Sequence, residues 1–529
     1  MRKGNLAVAL ALTLVALYLA FRFMTYAGPL WRDEASTLHF ANQPTYGDVL
    51  ASLDLVSLPP LYQVIVRAWS GLGWENEDLG VRALGFIVTA AVLAAIWLGA
   101  RALDIAPPLI MLALFATHGI VLSTIGLVRP YGLGALAVIA ASCAVLRLVA
   151  SPRALTFAVG AAFTTLAVQT QYQNTLLVAV IIAAGAAAAA WSRDWKGAAL
   201  VIGTGVVAAV SLAPYLGILA RSQKWRILHR SMSEADPAYL LVRFGDLLSM
   251  ESFPLLLLWF ALVVLACYGA ARVLRAATMS RAERQRGIYA VMTLFGGAAA
   301  LLAFFHFADR VLQPWHVVPV IALMALSLDM IFAQSTWPAP TRLVIAAFAA
   351  VLSLPASIPQ VTVRQTNIDL LAHRLERDAA TGDLILVNPW FMGITLRRYY
   401  HGSAPILTVP PVDDLRIHRF DQIRAHMASA DPLGAVETAI KTTLRDGHRV
   451  WVVGSLPIPG PGHQVQQLAP APHPVTGWSE TTYRIGWALQ VGSFLRAHAR
   501  RGSRYSLPLL QAVNGYENAE LMMIEGWVE

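Results

Sequence analysis

Residues 6–23 read LAVALALTLVALYLAFRF, and residues 31–34 read Trp31-Arg32-Asp33-Glu34. The first stretch is almost wholly apolar and approaches the roughly 20 residues that a membrane helix needs. Arg2 and Lys3 precede it, and positive charge beside a first span favours the cytoplasmic side. The sequence therefore predicts an uncleaved first transmembrane helix with two carboxylates just beyond its outer end. A secretory signal peptide is the competing interpretation, but its apolar stretch would be shorter.

Further apolar stretches follow the first along most of the chain, which argues against a soluble globular protein. The 529 residues are 57% hydrophobic and only 13% charged, with a mean hydropathy of +0.56. We therefore predict an α-helical polytopic membrane protein with about eleven transmembrane helices. The predicted spans lie at residues 6–23, 84–100, 108–127, 132–150, 155–168, 175–190, 198–220, 253–271, 288–305, 317–332 and 343–354.

The charges in the loops give the orientation of these spans. Arginine and lysine accumulate in the loops that the count places on the cytoplasmic side, above all between residues 272 and 286. With an odd number of spans, everything after about residue 359 lies on the outer side. We predict a membrane domain at 1–359, whose first outer loop at 28–82 carries the carboxylate pair, and an outer soluble α/β domain at 360–529.

Charge and cysteine content exclude other classes of protein. The net charge of +9 partly reflects the cytoplasmic arginines, for which anionic membrane lipids are a sufficient partner. The sequence contains no nucleic-acid motif, so we expect membrane lipids and no nucleic acid as partners. Cys143 and Cys267 fall in predicted spans and offer neither a disulfide framework nor a metal-ligand spacing.

The first outer loop is long enough to contain helices of its own. Thr45 and Asp48 have the spacing of a helix N-terminal cap, and Pro59-Pro60 can begin a second helix. Apolar residues recur at helical spacing in this second helix, and its other side carries Gln63, Arg67 and Ser70. The helix can lie in the membrane interface with one face in lipid, or it can pack on protein. In both arrangements the two helices would wall a cavity that holds Asp33.

A second outer stretch, residues 221–250, is basic and aromatic at its start and so departs from the inside-positive bias. Its first residues include Arg221, Lys224, Trp225, Arg226, His229 and Arg230. Such a segment can anchor the protein to lipid headgroups. Alternatively, its cations can bind the phosphate of a substrate.

The sequence after residue 362 alternates between helical and strand patterns. Residues 369–378, 391–400, 420–444 and 481–500 have helical patterns, whereas 384–387 and 449–454 are typical of buried strands. These elements predict a small α/β domain. It contains neither a dinucleotide-binding glycine fingerprint nor a Walker sequence, so we expect it to handle the acceptor or to serve in docking.

The carboxylate pair needs partners if it is more than an interfacial salt bridge with Arg32, because such surface pairs are common and contribute little. Other elements at the same outer level supply these partners. They are Pro59-Pro60-Leu61-Tyr62 in the first outer loop, Arg129-Pro130-Tyr131 at the fourth span, and Arg310 with Pro314 and Trp315 at the tenth.

In their order and sidedness these elements resemble the C-type (GT-C) integral-membrane glycosyltransferases. The resemblance is to the group that contains the lipopolysaccharide-core galacturonosyltransferases of the Rgt kind. It is more distant to the protein O-mannosyltransferases and the aminoarabinose transferase ArnT. The shared features are the Asp-Glu pair, the Pro-Pro-Leu-Tyr element, the Arg-Pro-Tyr element, many helices and a trailing outer domain, and they cover nearly the whole chain.

The resemblance implies transfer of a hexose or pentose, with inversion, from a polyprenyl-phosphate donor to a hydroxyl of a glycan, lipid or protein acceptor. It also implies that the reaction takes place at the periplasmic face of a bacterial inner membrane. A hydroxyl is a poor nucleophile, and Asp33 is the candidate base that accepts its proton. Inversion needs no second carboxylate for a covalent intermediate. Glu34 can orient the acceptor, tune Asp33 or help to hold a cation.

The leaving group of such a donor is an anionic phosphate, which cationic groups stabilise. The candidate phosphate-binding residues are Arg129 and Arg310, followed by Lys224, Arg226 and Arg230. The candidate substrate-binding residues are Arg32, Tyr62, Tyr131 and His306.

Two departures from the family pattern bear on metal use and specificity. Many relatives carry His or Lys before the Pro-Pro element, where this chain has Leu58, so a metal ligand or phosphate partner is lost. We assign no cofactor, and the use of a divalent metal stays open. The acidic residue that many relatives place before Arg-Pro-Tyr is also missing, since residues 125–128 read Ile-Gly-Leu-Val.

Two rival functions come from other classes. One is a transporter or flippase for lipid-linked sugars, and the other is a non-catalytic accessory protein that binds a glycolipid. A transporter would place charged groups at mid-membrane and show broken helices or internal repeats. The sequence shows neither feature.

Overall fold

The computed structural model describes residues 2–529 except 57, 230–233, 235, 276–278, 309, 335–336, 339, 461–464, 466 and 508. The helices of the region before residue 362 are α1 Arg2–Tyr26, α2 Arg32–Ala41, α3 Tyr46–Ala51, α4 Leu61–Trp69, α5 Asp78–Ala102, α6 Leu109–Met111, α7 Gly119–Ile125, α8 Tyr131–Ala150, α9 Ala154–Thr170, α10 Asn174–Trp191, α11 Trp195–Val210, α12 Leu216–Ser222, α13 Pro237–Ser249, α14 Phe253–Arg275, α15 Arg281–Phe307, α16 Pro314–Phe332 and α17 Thr341–Val361.

The chain is a multi-pass membrane protein, as predicted. Within the part of the chain that the structure describes, nine helices are long and apolar enough to cross a membrane. They are α1, α5, α8, α10, α14, α15, α16, α17 and the helical stretch Trp195–Trp225 that begins with α11. The predicted fifth span is a shorter apolar helix, α9.

The predicted third span, residues 108–127, is not a single helix. It forms α6, a π-helical turn Leu112–Ala116 and α7. The segment is buried among α1, α16 and α17, and the backbone groups that the break releases find partners there. Met111 N–H donates to Asp329 Oδ2 (3.2 Å), and Gly119 N–H donates to Ser357 Oγ (2.9 Å). Irregular backbone at membrane depth is tolerated where protein surrounds it, which hydropathy alone does not reveal.

Helix α16 is the centre of the helical bundle. All its side chains from Val317 to Phe332 are buried, because α8, α14 and α15 pack around it. Asp329 near its end pairs with Arg342 at 2.7 Å, and Arg342 also donates to the carbonyl oxygens of Ile105 and Pro107. This buried ion pair joins α16 and α17 to the loop between α5 and α6 at one end of the bundle.

Ion pairs between loops show which loops share an end of the bundle. Asp194 and Arg281 pair at 3.2 Å at the end that also holds Arg342. At the other end, Asp78 at the start of α5 pairs with Arg398 of the C-terminal region at 2.7 Å. The structure thus places the C-terminal region and the first outer loop at the same end.

The C-terminal region is a five-stranded sheet between helices. Its elements are α18 Ile368–Asp378, β1 Leu384–Asn388, α19 Met392–Tyr399, β2 Ile406–Thr408, α20 Phe420–Ala428, α21 Gly434–Arg445, β3 Arg449–Gly454, α22 Glu480–His498, β4 Ala499–Tyr505 and β5 Leu521–Trp527. The strand order is β2-β1-β3-β5-β4: β2, β1 and β3 are parallel, and β5 pairs antiparallel with both β3 and β4. Helices α20, α21 and α22 cover one face, and α18 and α19 cover the other. The predicted α/β class is confirmed, since parallel strands with both faces covered have continuous apolar sequences.

Two details of this region differ from the sequence-based expectation. The predicted helix at 420–444 is two helices, because Pro432 cannot continue a hydrogen-bonded turn and Asp431 Oδ1 accepts from Gly434 N–H (2.8 Å) to cap α21. The predicted helix at 481–500 ends at His498, where the edge strand β4 begins.

The helices of the first outer loop form where the sequence predicts them. Asp48 N–H donates to Thr45 Oγ1 (3.1 Å) to cap α3, and α4 begins directly after Pro60. Helix α4 contacts the protein through Tyr62, Gln63 and Val66, which are buried, whereas Val64 is 41% exposed. Ile65 and Trp69 also pack against the core that contains Tyr62 and Val66, so apolar residues of α4 both contact protein and face outward.

Candidate functional site

Asp33 and Glu34 lie in the first turn of α2, at the end of the bundle that faces the C-terminal region. Negative charge is favourable in the first turn of a helix, where the backbone N–H groups are free. Neighbouring residues of an α-helix point about 100° apart, so the two carboxylates face different surroundings.

Glu34 points into the protein and is fully buried. Its carboxylate pairs with the guanidinium of Arg82, which is also fully buried. The Oε1 atom of Glu34 accepts from Val128 N–H (2.9 Å), and Arg82 also donates to the carbonyl oxygens of Gly28 and Pro29 (2.9 Å each). Glu34 therefore ties the start of α2 to α5 and to the loop before α8. The catalytic role predicted for Glu34 stays a prediction, and its carboxylate is engaged by Arg82 and by Val128 N–H.

Asp33 has the opposite environment. Its side chain is 16% exposed, and its carboxylate lies among three cationic or ionisable groups. Oδ1 is 3.5 Å from Arg32 Nε and 3.5 Å from His418 Nε2, and Oδ2 is 4.0 Å from Arg129 Nη2. All three distances exceed the about 2.7–3.2 Å of an ordinary N–H···O hydrogen bond. The positive charges nearby thus stabilise the ionised carboxylate, and its oxygens can still accept a hydrogen bond from a further donor.

These neighbours set the protonation state of Asp33. Burial alone would raise the pKa of Asp33, but the guanidinium charge of Arg129, together with that of Arg32, lowers it below its usual value. The Asp33 carboxylate is consequently ionised at neutral pH, as a general base must be before it accepts a proton.

His418 is a neighbour of Asp33 that no sequence pattern predicts. It lies in the loop between β2 and α20, 385 residues from Asp33, and its Nδ1 is 3.3 Å from Ser36 Oγ on α2. Burial lowers the pKa of His418 to about 4. The ring is therefore neutral at pH 7, packed in parallel against Phe420, and it brings the C-terminal region into contact with Asp33.

Arg32 joins the two regions at the same place. Its guanidinium donates to the carbonyl oxygen of Tyr516 (2.9 Å) and lies 4.2 Å from the ring centre of Phe391. Its backbone N–H donates to Glu517 Oε2 (3.3 Å). Glu517 is fully buried, and burial raises its pKa to about 8. Arg32, which the sequence predicts to bind substrate, thus connects the C-terminal region to α2.

Arg129 lies beside Asp33, as the sequence predicts for an outer arginine of the fourth span. Its guanidinium donates to Thr37 Oγ1 (2.9 Å) and to the backbone oxygen of Asp33 (3.4 Å). Its side chain remains 14% exposed. A guanidinium that is held from one side and partly open on the other can bind a phosphate oxygen next to the Asp33 carboxylate.

Tyr62 and Tyr131 are both buried beside this group. Tyr131 stacks on Trp315 (5.8 Å between ring centres), and Trp315 lies 5.8 Å from Tyr516. Tyr516 in turn donates from its hydroxyl to Gln313 Oε1 (2.6 Å). The structure therefore places Tyr131 in an aromatic wall that runs from α8 through the start of α16 to the outer domain.

The basic segment of the second outer stretch connects several regions. Trp225 Nε1 donates to Asp54 Oδ2 in the first outer loop (3.4 Å), and Arg226 donates to the carbonyl oxygen of Ala308 after α15. Ile227 is buried in the core of the C-terminal region, where its carbonyl oxygen accepts from Glu480 N–H (2.8 Å). Lys224 is exposed beside these contacts. Arg230 lies outside the described residues.

The two remaining predicted site residues lie between α15 and α16. Arg310 is close enough to His316 to interact with it electrostatically. His306 is in the last turn of α15, where its ring packs against Phe307. Both lie at the connection from α15 to α16, at the end of the bundle where Gln313 contacts Tyr516 of the C-terminal region.

The described residues contain no group of three or more His, Cys, Asp or Glu side chains that could hold a metal ion. The positive charge next to Asp33 comes from Arg32 and Arg129.

Comparisons with known proteins give matches among solved structures. No protein-family profile matches the chain, and no characterised protein matches it in sequence. ArnT from Cupriavidus metallidurans in the apo state matches with a TM-score of 0.49 and 15% identity, over 85% of this chain and 93% of ArnT. The structure of the same protein bound to undecaprenyl phosphate matches with a TM-score of 0.49 and 12% identity, over 84% and 92% of the two chains.

Proposed function

We propose that the chain is an inverting GT-C glycosyltransferase, which moves a sugar from a polyprenyl-phosphate donor to an acceptor hydroxyl at the outer face of the membrane. The observation that carries the proposal is the environment of Asp33. It is an ionised, partly exposed carboxylate at the outer end of a helical membrane bundle, with the guanidinium groups of Arg32 and Arg129 beside it. This combination supplies a base and an anion-binding group side by side at one end of the bundle.

The proposed reaction uses Asp33 as the base and Arg129 as the group that binds the phosphate. The acceptor oxygen attacks the anomeric carbon of the donor as its proton passes to the Asp33 carboxylate. The bond between the anomeric carbon and the phosphate oxygen breaks, and polyprenyl phosphate leaves as an anion. Arg129 stabilises the charge that develops on the leaving oxygen. No covalent glycosyl intermediate forms, because Glu34 is occupied by Arg82 and the displacement inverts the anomeric centre.

Donor binding also changes the strength of the base. Arg129 contributes to the lowered pKa of Asp33 while no phosphate is bound. A phosphate on Arg129 adds negative charge near Asp33 and offsets this effect, so the pKa of Asp33 rises toward values at which it is a better base. Proton abstraction is thereby favoured after the donor has arrived.

The test uses purified full-length protein, a radiolabelled polyprenyl-phosphate sugar and membrane extract as the source of acceptor. A transferase consumes the donor only when the acceptor is present. A flippase moves the donor across a vesicle membrane unchanged, and an accessory protein only binds it. Either of these latter outcomes would overturn the proposal.

The Asp33→Asn variant tests the base itself. It removes the proton acceptor, and we expect transfer to fall by about 10²–10⁴-fold while donor binding is retained. Asp48→Asn is the matched control, because Asp48 is an exposed aspartate of the same outer loop that caps α3. Unimpaired transfer by Asp33→Asn would eliminate Asp33 as the base.

A further inference from the structure

A polar cavity of about 790 Å³ lies on the C-terminal region, beside the edge strand β2. Its walls are the end of α19, the turn that leads into β2, and residues 412–416 that follow β2. The volume is in the range of about 300–1,000 Å³ that is usual for small-molecule sites. We call this cavity the outer pocket.

The side chains of the outer pocket offer hydrogen-bond donors and acceptors without a surplus of either charge. Two arginines, Arg397 and Arg416, face two aspartates, Asp413 and Asp414. Asp414 binds the guanidinium of Arg416 through both of its oxygens (2.9 and 3.0 Å), which neutralises that cation. The pocket thus differs from a phosphate site, in which cations and N–H donors would dominate.

The presence of both arginines and aspartates in the wall determines which kind of ligand can bind. A sugar hydroxyl both donates and accepts, so it can bind a carboxylate and a guanidinium in the same wall. A phosphate ester only accepts at its oxygens and would be repelled by the Asp413 carboxylate, while the pairing of Arg416 with Asp414 leaves that guanidinium less available to an anion. The outer pocket therefore fits a neutral polyhydroxylated ligand better than an anion.

The outer pocket is linked to Asp33 through α2. The carbonyl oxygen of Arg416, in the pocket wall, is 3.3 Å from His39 Nδ1 near the end of α2. Two residues after Arg416, His418 contacts Asp33 near the start of the same helix. Asp33 and His39 are six residues apart, about 9 Å along the helix axis. One loop, residues 412–418, thus connects the pocket wall to the candidate base over a distance that an oligosaccharide can span.

We propose that the outer pocket is the acceptor subsite and that the acceptor is a glycan. The pocket binds sugar residues of the acceptor while the hydroxyl to be glycosylated reaches Asp33. The assignment of the reacting hydroxyl rests on the proposed function, whereas carbohydrate binding by the pocket does not.

The test is hydrogen–deuterium exchange on the full-length protein in nanodiscs. The probe is the oligosaccharide fraction released by mild acid from the cell envelope of a strain that lacks this protein, because that strain accumulates unmodified acceptor. We expect slower exchange, by about threefold or more, in peptides that cover residues 397–416. Inorganic phosphate at the same concentration should have no effect. Protection by phosphate, or no protection by the oligosaccharides, would overturn the proposal.

Substitutions in the pocket wall test whether the protection from exchange arises from binding in the outer pocket. Arg397→Ala and Asp413→Ala change exposed side chains of the wall, so the fold should be retained. Both should abolish the protection and raise the acceptor KM by about tenfold, with kcat and the donor KM unchanged. Arg500→Ala is the control, because Arg500 is an exposed arginine on β4, at the opposite edge of the sheet from β2. A wild-type acceptor KM in both wall variants would refute the subsite.

The Asp33→Asn variant separates this inference from the proposed function. If it keeps transfer activity but the oligosaccharides still protect residues 397–416, the base assignment fails and the carbohydrate site stands. If Asp33→Asn abolishes transfer but no protection is seen, the transferase stands and the acceptor subsite fails.

Discussion

The two sides of the first turn of α2 carry neighbouring carboxylates with contrasting surroundings. On the inner side, Glu34 has no exposed surface and shares short hydrogen bonds with Arg82 and with Val128 N–H. On the outer side, Asp33 is 16% exposed and its ionic contacts are 3.5–4.0 Å long. The buried Asp329–Arg342 pair at the opposite end of the bundle resembles the inner side. A carboxylate with every oxygen engaged holds structure together, whereas one with long contacts and open surface is available for chemistry.

The largest effect that can test this contrast is on stability. Glu34→Gln removes the partner of a fully buried guanidinium, and breaking such a pair typically costs about 3–5 kcal/mol. We expect a large loss of folded protein in thermal melts of detergent-solubilised samples, even though the neighbouring Asp33→Asn variant melts like wild type. A double variant, Glu34→Leu with Arg82→Leu, should recover much of the lost stability because neither charge is left alone. A stable Glu34→Gln variant without transfer activity would reverse the roles of the two carboxylates.

The next largest effect tests the surroundings of Asp33, through the pH dependence of activity and through donor binding. Arg129→Gln removes a cation that lowers the pKa of Asp33, so this pKa should rise and the acid limb of kcat/KM should move to higher pH. Wild type should lose activity only as the pH falls through the lowered pKa of Asp33. Loss of a charge-assisted hydrogen bond of about 1.5–3 kcal/mol should also weaken donor binding by about 13–160-fold.

Arg101→Gln is the control for this variant. Arg101 is an exposed arginine in the last turn of α5, at the opposite end of the bundle. It should leave both the pH profile and the donor affinity unchanged. An unshifted acid limb together with normal donor affinity in Arg129→Gln would exclude Arg129 from the site.

A smaller effect is expected from the contact between the two regions. His418 is neutral at pH 7, because burial lowers its pKa to about 4, so its replacement removes a polar contact and no charge. His418→Asn should lower kcat by about 2–13-fold, the equivalent of about 0.5–1.5 kcal/mol, and leave the donor KM unchanged. His473→Asn, in a loop of the same region, is the matched control. A loss as large as that of Asp33→Asn would give His418 a share in the proton transfer itself.

His418 also shows where prediction from the sequence ends. The apolar segments, the cap of α3, the start of α4 after Pro60, and the strands β1 and β3 are local patterns, so the sequence predicts them. The meeting of Asp33 with Arg129 follows from their shared outer level. The contact with His418 depends on how a separate domain docks, and no local pattern around residue 418 encodes it. The burial of Glu34 depends similarly on Arg82, a single arginine in an otherwise ordinary helix start. The other three strands have no clear local pattern: β2 is only three residues long, and buried and exposed residues do not alternate regularly in β4 and β5. The sequence therefore does not predict them.

The smallest effect concerns the docking of the outer domain on α2, where Glu517 accepts from Arg32 N–H and from Thr395 Oγ1 (2.9 Å). Burial raises the pKa of Glu517 to about 8, from 4.5 for the free side chain, so the folded protein binds one more proton than the unfolded chain between these values. The contribution of Glu517 to stability is therefore full below about pH 4.5 and declines as the pH rises to about 8.

The Glu517→Gln variant stays neutral at every pH and should lose this pH-dependent part of the stability. The melting temperature of the variant relative to wild type should therefore increase from pH 5 to pH 8. Because Glu517 does not contact the Asp33 carboxylate, transfer activity at pH 7 should stay within about twofold of wild type. A constant difference in melting temperature across this range would mean that Glu517 is ionised in the folded protein and holds Arg32 as a charge.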